Sequence, residues 1–586
     1  MDVFAGVDVG NRTTEVAVAT SDGRFLASAM VPTTGIKGTR SSAKGIVDGL
    51  ARALSGLGPV TLREIVLCET APVVFNAAVV PQEDLALLTS HVLAHNPDTP
   101  GGAGVASGRA ARLGTLAEAG GAGGPVIALV DRDVSFGEAA ARINDAVGRG
   151  AKVVGVAMEA DEAVLLWNRL GRKVPVIDEV RGLSRIADGT AMAVEVAPEG
   201  GRLAALTDPF ALAELIDHDD ADELRGIALT LTELRSGVVV KAEHGMQVQP
   251  NHLVIQTAAG DDVRIRLDEG AGAVNRLAAS VLPARSVRVG LGGSIQSPFP
   301  ALEETFQDAA SVVVRDMFAV DAWYQAGASG RGTVRQGGIG LSAAMSDEGR
   351  LFGRLAADLR ASLDCKVLTL GREAQQMVRG ALTTPRLRAP CVIADIGAGS
   401  IDLVLYAGGA PQATIELSGA GDLVDAMLGQ ALGIADLDLV ERLKRHPVGR
   451  VERRGIIRLQ NGAPVRDDRA ACADLVGKAV LVTPDAIVPL AADAEPAEIV
   501  AERRRCKEDV IVANLLRGFA RLPIEGARIH VALVGGGACD DELVMLAREA
   551  LGRLGVTVGR ANVRGTEGPR NCVATGLVLS RLAMQP

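Results

Sequence analysis

Aromatic residues are scarce in this chain: 10 Phe, 2 Trp and 2 Tyr among 586 residues, about 2%. Its cores must therefore be built from Ala, Val, Leu and Ile, and no aromatic-plus-basic stripe is present on which single-stranded nucleic acid would stack. A basic surplus is also missing. Lys and Arg total 61 against 71 Asp and Glu, a net charge of −10, which argues against a nucleic-acid binder held by phosphate contacts. The seven cysteines (68, 365, 391, 472, 506, 539 and 572) form no C-x-x-C pair. An odd set lying mostly in apolar runs reads as free, buried thiols in a reducing cytosol. It also counts against an iron–sulfur activator, which needs closely spaced thiolates. No run of about 18 uncharged apolar residues is found, so no membrane span is expected. The chain starts on a strand rather than on a basic segment with a long apolar stretch, so no secretory leader is expected either. What is present is ordinary for globular protein, 48% hydrophobic and 23% charged, in a chain too long for one core.

Residues 391–406, C-V-I-A-D-I-G-A-G-S-I-D-L-V-L-Y, organise the rest. An apolar run, a Gly-containing turn and a second β-branched run read as a strand–turn–strand hairpin. Gly397 and Gly399 let backbone N–H groups approach an anion without a Cβ in the way. Ser400 adds a hydroxyl donor. Asp395, at the strand end, is suited to holding a hydrated Mg²⁺ or orienting a water. The same device recurs at residues 4–17, F-A-G-V-D-V-G-N-R-T-T-E-V-A. Here Asp8 stands for Asp395, Gly10 for Gly397, and Thr13 or Thr14 for Ser400. One such hairpin is commonplace. Two, hundreds of residues apart, suggest two similar lobes gripping phosphate in a shared cleft. This resembles the actin/Hsp70/sugar-kinase ATPase superfamily.

Along the chain, residues 33–39 (T-T-G-I-K-G-T) read as a surface turn, 42–57 as a helix and 65–68 as a strand. Residues 91–108 change texture to Pro and Gly, either a linker or a loop whose His95, Asn96, Asp98 and Thr99 carry function. A βαβ pattern follows: strands at 126–130 and 153–158 around a helix at 136–147, then a strand at 174–177. Glu159, Asp161, Asp178 and Glu179 lie just past strand ends, where open α/β sheets bind ligands. They are either solvated acids or, with Thr99, oxygen ligands for Mg²⁺ or Ca²⁺. Strands are expected within 231–240 and 253–267, a loop at 290–294 and a helix over 301–320. Helix, strand and helix are expected over 341–382, and Glu373 opens the last of these. It is either an acid favoured by the helix dipole or a residue that positions water or Mg²⁺. Residues 438–445 form an amphipathic helix with Glu441 and Lys444 on one face, either a surface ion pair or, as in the superfamily, a nucleoside contact. A helix over 508–519 and a strand running into the Gly loop 535–537 complete the pattern.

Taken together, the collinear segments G-V-D-V-G-N-R-T-T-E-V-A, T-T-G-I-K-G-T, H-N-P-D-T-P-G-G-A-G, N-R-L with P-V-I-D-E-V, G-A-L-T-T-P, D-I-G-A-G-S-I-D, S-G-A-G-D, L-V-G-G-G and R-G-T-E-G-P-R-N-C-V-A-T-G-L resemble one family. It is the large, ATPase subunit of the reactivating factor for coenzyme-B12-dependent diol and glycerol dehydratases. The resemblance implies an α/β fold: a two-lobed actin/Hsp70-like core with an inserted swivelling α/β domain and further inserts. The expected division is core at 1–88, swivelling domain at 89–200, linker or insert at 201–345, and core again at 346–586. It implies ATP hydrolysis, with ATP/ADP and Mg²⁺ as ligands. That hydrolysis would be used chaperone-fashion to release damaged cobalamin from an inactivated dehydratase so that intact adenosylcobalamin can bind.

Implied catalytic residues are Asp8, Asp395 and Glu373. Implied nucleotide contacts are Gly10, Asn11, Arg12 and Thr13 on the first hairpin and Gly397, Gly399 and Ser400 on the second. Glu441, Arg442, Leu443 and Lys444 on the helix, Gly536 and Gly537 in the adenosine loop, and Arg570 complete that set. Thr99, Asp161 and Asp178 are the implied metal ligands at the interface with a small reactivase subunit, in a heterotetramer of two large and two small subunits. The implied client is a dehydratase, and the location the cytoplasm, free or in a protein-shelled microcompartment. The chain departs from the family at Arg12-Thr13, where two serines are common, at Arg442 in place of an acid, at Gly537 in place of Ser, and at Glu162 after Asp161. The rival readings are a small-molecule kinase of the same superfamily and a nucleotide-binding scaffold without turnover.

Overall fold

The computed structural model describes residues 1–69, 73–82, 101–116, 124–180, 183, 186–219, 221–231, 234–241, 251–291, 294–299, 312–326, 334–346, 350–490, 495–524 and 529–584. The chain divides into two units. One comprises Met1–Gln82, His252–Tyr324 and Gly337–Pro586; the other comprises Glu83–Asn251 and Gln325–Gln336.

The first unit contains one sheet plan twice. Strands Asp2–Val9, Thr13–Thr20 and Phe25–Pro32 form an antiparallel meander, and Thr61–Glu69 and Lys366–Arg372 add in parallel beside Asp2–Val9. Strands Cys391–Ile396, Ser400–Ala407 and Ala410–Ser418 repeat the meander. His530–Val534 and Thr557–Arg560 add in parallel in the same places. The duplication gives the unit two similar lobes, as the paired hairpins imply. The hairpin turns match in detail: the Gly10 N–H donates to the Thr13 carbonyl at 2.9 Å, and that of Gly397 to the Ser400 carbonyl at 3.0 Å.

Helices Glu373–Ala381 and Cys572–Leu582 pack into a common core with both sheets, through Phe4, Ala17, Met377, Ile393, Val404 and Val573. They cross closely. A Cβ on Gly380 would stand 1.9 Å from the Cys572 carbonyl oxygen, and one on Gly576 the same distance from that of Gln376. Glycine is required at both positions for the helices to meet.

Two further sheets complete this unit. One holds His252–Thr257, Asp262–Arg266 and Ala284–Leu291, followed by the long strands Val313–Ala326 and Val334–Ser346 and then Val73–Pro81. The other is a small antiparallel sheet of five strands within residues 448–489. The helix expected over 301–320 is a strand from Val313 onward. Its Val-Val-Arg-Asp-Met-Phe-Ala-Val run is β-branched at the start and packs well on a pleated surface. The helix expected at 508–519 begins earlier, as Pro496–Lys507, and passes through a π-turn, Glu508–Val512, into Ala513–Phe519.

In the second unit a six-stranded sheet runs Ser236–Val240, Ala191–Val196, Gly104–Arg112, Pro125–Val130, Lys152–Met158, Val176–Ile177. The last four are parallel, with helix Phe136–Gly148 as one crossover. Among the described residues no helix is long and apolar enough to cross a membrane.

Candidate functional site

The two hairpins of the first unit face one cavity of about 290 Å³. Gly10, Asn11, Arg12 and Thr13 line it from the first hairpin; Gly397, Gly399 and Ser400 line it from the second. Asp8, Asp395 and Glu373 reach it, as do Glu441, Lys444, Gly536, Gly537 and Arg570. Two expected contacts do not. Leu443 is fully buried in the hydrophobic core, on the opposite helix face from the cavity residues, and Arg442 is not among the lining residues. The contact of helix Leu437–Arg445 is thus made by Glu441 and Lys444, with Arg445 beside them. Nor are Glu441 and Lys444 a surface ion pair: Glu441 pairs with Arg445, and Lys444 pairs with Asp425 at 2.8 Å.

The floor of the cavity is acidic and its carboxyls are buried. Asp8, Asp395 and Asp402 all have carboxyls raised above the usual carboxylate range. Burial is the main cause, followed by the charges of Glu373 at Asp8 and Asp395 and of Glu416 at Asp402; Asp395 reaches about 7. Asp8 Oδ1 is buried with no hydrogen-bond partner among the described residues. Lys37 enters this group, its Nζ lying 3.2 Å and 3.5 Å from the Glu373 carboxylate oxygens. Burial alone would lower the Lys37 ammonium, but Glu373 and Asp8 outweigh it and hold the ammonium above its ordinary value. Lys37 thus belongs to the site, not to the surface turn its Gly/Thr loop suggested.

Arg570 closes the other side. Its Nη2 donates to Thr13 Oγ1 at 2.8 Å and pairs with Glu15 at 2.9 Å. Arg12 crosses from the first hairpin to helix Gly421–Leu432, pairing with Asp422 at 2.6 Å and with the buried Asp425 at 2.7 Å. Arg12 thus forms an electrostatic strap between the first hairpin and this helix. In the Gly loop 535–537, Gly535 adopts φ +85°, and a Cβ there would stand 2.0 Å from Asp395 Oδ1. A Cβ on Gly537 would meet Ile396 Cγ2 at 2.4 Å. Glycine at 537 is therefore required by the packing of Ile396. Beyond the loop, the fully buried Lys507 lines the cavity and pairs with Asp540 at 2.6 Å and Glu542 at 2.7 Å.

Comparison with known proteins decides what this cavity belongs to. A family model described as the diol dehydratase reactivase ATPase-like domain matches residues 265–581, and one described as the DD-reactivating factor swiveling domain matches residues 87–247. The chain belongs to the large subunits of the dehydratase-reactivating factors. The propanediol dehydratase-reactivating factor large subunit of Citrobacter freundii is 32% identical over 605 residues, covering 99% of this chain and 98% of that one. The diol dehydratase-reactivating factor large subunit of Klebsiella michiganensis is 32% identical over 604 residues, with the same coverage. A solved structure of diol dehydratase-reactivating factor in nucleotide-free form aligns at TM-score 0.62 and 30% identity over 100% of both chains. A glycerol dehydratase reactivase aligns at TM-score 0.60 and 33% identity over 99% of this chain and 100% of that one.

In the second unit, the region of the expected metal set is partly described. Thr99 lies outside the described residues, as do His95, Asn96 and Asp98. The described chain resumes at Gly101, which exchanges hydrogen bonds of 2.9 Å with Val176, two residues before Asp178. Asp178 is buried, its Oδ2 accepts the Ala163 N–H at 2.9 Å, and its carboxyl is pushed up to about 6 by burial, with Asp161 and Glu179 adding to the rise. Asp161 is exposed. Among the described residues no group of three His, Cys, Asp or Glu side chains is arranged to hold a metal ion.

Proposed function

We propose that this chain binds and hydrolyses ATP with Mg²⁺ and uses the nucleotide cycle to reactivate a coenzyme-B12-dependent diol or glycerol dehydratase by releasing damaged cobalamin. The observation that carries the reading is the pairing of two matched phosphate-type hairpins over a floor of buried acids, in a chain belonging throughout its length to the reactivating-factor family.

The residues fit a divalent cation. Asp8 Oδ1 is an orphaned buried acceptor, and the carboxyls around it are strained toward protonation by burial and mutual repulsion. Asp8 and Asp395 are the residues that would hold hydrated Mg²⁺, whose charge would offset that of the phosphates. The chain's own groups do the rest. The turn N–H groups of both hairpins, Thr13 and Ser400 hold phosphate oxygens. Ser400 Oγ donates to Asp402 at 3.0 Å and would exchange that acceptor for a phosphate oxygen. Glu373, held by Lys37, orients the attacking water, and Lys37 balances negative charge as it moves onto the leaving phosphate. Positioning and electrostatics supply most of the catalysis in phosphoryl transfer. At the other end, Glu441, Lys444, Gly536 and Gly537 receive the ribose and base.

In the second unit, Asp161 and Asp178, with Thr99, are assigned to a metal at the interface with a small reactivase subunit. The assembly would be two large and two small subunits in the cytoplasm or a microcompartment. Titration of the purified chain with ADP and ATP, with turnover measured with and without Mg²⁺, tests the ATPase reading. Micromolar binding with Mg²⁺-dependent phosphate release, lost in Asp395→Ala, is expected. Binding of neither nucleotide would overturn it.

A further inference from the structure

Residues 418–422, behind the second hairpin, form a loop that is tied on both of its sides. Toward the cavity, it takes up three successive hairpin carbonyls. The N–H groups of Gly419, Gly421 and Asp422 donate to the carbonyls of Gly399, Gly397 and Ala398 at 3.1, 3.4 and 2.7 Å. The loop and the phosphate hairpin therefore move as one piece of backbone. Away from the cavity, Ser418 is gripped by one carboxylate oxygen. Asp316 Oδ2 accepts the Ser418 N–H at 2.8 Å and the Ser418 hydroxyl at 3.2 Å, and it also accepts Arg517 Nη2 at 2.6 Å.

Arg517 is itself fixed to the same strand. Its Nη1 donates to the Met317 carbonyl at 3.1 Å, and its guanidinium lies 4.7 Å from the centre of the Phe318 ring. Ser418 Oγ also approaches the Ser342 carbonyl at 3.3 Å, and Asn514 Nδ2 caps the carbonyls of Ser418 and Gly419 at 2.6 Å each. The fit leaves no slack: Gly419, at φ +92°, has Phe318 Cδ1 2.9 Å from where its Cβ would be.

Asp316 and Ser342 lie on the two long strands Val313–Ala326 and Val334–Ser346, neighbours in one sheet. These are the strands whose chain continues into Gln325–Gln336, the segment that belongs to the second unit. A stability role alone would need a buried ion pair somewhere in this core. It would not need the pair to grip the loop that carries the phosphate hairpin, nor to do so from the strand pair that leads out of the unit.

We propose that Asp316, held by Arg517, is a positioning residue that couples the second phosphate hairpin to this strand pair, so that the nucleotide bound at residues 397–400 sets the local order of residues 313–324. The proposal rests on the cavity being a nucleotide site. Coupling of this kind requires the two nucleotides to differ in their affinity for two arrangements of the loop.

The test is hydrogen–deuterium exchange of the full chain with no nucleotide, with ADP and with a non-hydrolysable ATP analogue, read at amides 313–324, with nucleotide affinity measured in parallel. In the wild-type protein the exchange rates of this segment should differ by about fivefold or more between the two nucleotides. In Asp316→Asn, which keeps the side-chain volume but loses the charge, the difference should fall below about twofold. Affinity for ADP should change by less than about threefold. Ser418→Ala, a smaller change that removes only the hydroxyl bridge from Asp316 to Ser342, should reduce the difference as well. It keeps the question open to refutation should Asp316→Asn fail to fold. A wild-type difference retained in the variants, or no difference in a wild-type chain that binds both nucleotides, would overturn the proposal alone. A wild-type chain that binds neither nucleotide would overturn the nucleotide-site reading and the proposal with it.

Discussion

Lys37→Met removes the ammonium that sits among the acids of the cavity floor while leaving most of its apolar stem. Its Nζ lies 3.2 Å from Glu373, with side chains 12% and 32% exposed. At an effective dielectric near 20 such a pair attracts by about 5 kcal/mol, which the partial exposure of Glu373 reduces to about 2–3 kcal/mol. Removing one partner also strands the other, and Asp8 loses a favourable neighbour too, so a net loss of about 3 kcal/mol is expected. The assay is urea unfolding of the nucleotide-free chain. Trp323 belongs to the first unit and Trp167 to the second, so a Trp167→Phe background leaves Trp323 fluorescence to report the first unit alone. Phosphate release should fall by about 10²–10³-fold, the loss typical of removing one preorganised charge from a transition state. Glu373→Gln in the Lys37→Met background should restore about half of the lost stability, because the stranded carboxylate is gone, without restoring turnover. A Lys37→Met chain that unfolds at the wild-type midpoint, or that turns over ATP at the wild-type rate, would refute the reasoning.

Three further outcomes follow from the geometry. Gly537→Ser, although it restores the residue common in the family, should destabilise the first unit by about 1–3 kcal/mol and weaken nucleotide binding, because its Cβ would meet Ile396; denaturant midpoints and ADP titration check this. Arg12→Ser leaves Asp425, whose side chain is 1% exposed, with Lys444 as its remaining ion-pair partner among the described residues. It should cost about 2–3 kcal/mol, recovered in part by adding Asp425→Asn, as read by the same unfolding experiment. Burial is the main cause that raises the Asp395 carboxyl from about 3.8 in the unfolded chain to about 7 in the fold. Between those values the native state holds a proton the unfolded state has released. Its contribution to stability therefore falls as pH rises, and the fall is complete above about pH 7. Unfolding midpoints of the nucleotide-free chain should decline between about pH 5 and about pH 7.5, less steeply in Asp395→Asn; an unchanged slope in the variant would contradict the assignment.

The hairpins were legible because their chemistry is local. An aspartate, a Gly turn and a hydroxyl residue fall within a few positions, and the apolar runs on either side have strand character. The same holds for the βαβ pattern at 125–158 and for the loop at 535–537. The role of Lys37 was hidden because its burial depends on Glu373, 336 positions later; the sequence showed only a lysine inside a Gly/Thr loop and that loop's place among the segments that resemble the family. Arg12 showed as a departure from the family, but its partners Asp422 and Asp425 are set by how helix Gly421–Leu432 packs against the first hairpin, which no local pattern encodes. Leu443 shows the opposite failure. A contiguous stretch, 441–444, was taken as a unit, whereas helical geometry turns Leu443 to the core while Glu441 and Lys444 face the cavity. The strand from Val313 was missed because a helical period and a β-branched run overlap there, and pairing with Ala284–Leu291 decides between them.

The most direct measurement is release of cyanocobalamin from a preformed diol dehydratase–cyanocobalamin complex. It would use this chain with its candidate small subunit, in the presence of ATP and Mg²⁺, of a non-hydrolysable analogue, and of ATP with Asp395→Ala. Release with ATP alone, absent with the analogue and with Asp395→Ala, is the predicted result. Steady ATP turnover with no cobalamin released from any B12-dependent dehydratase would contradict the account.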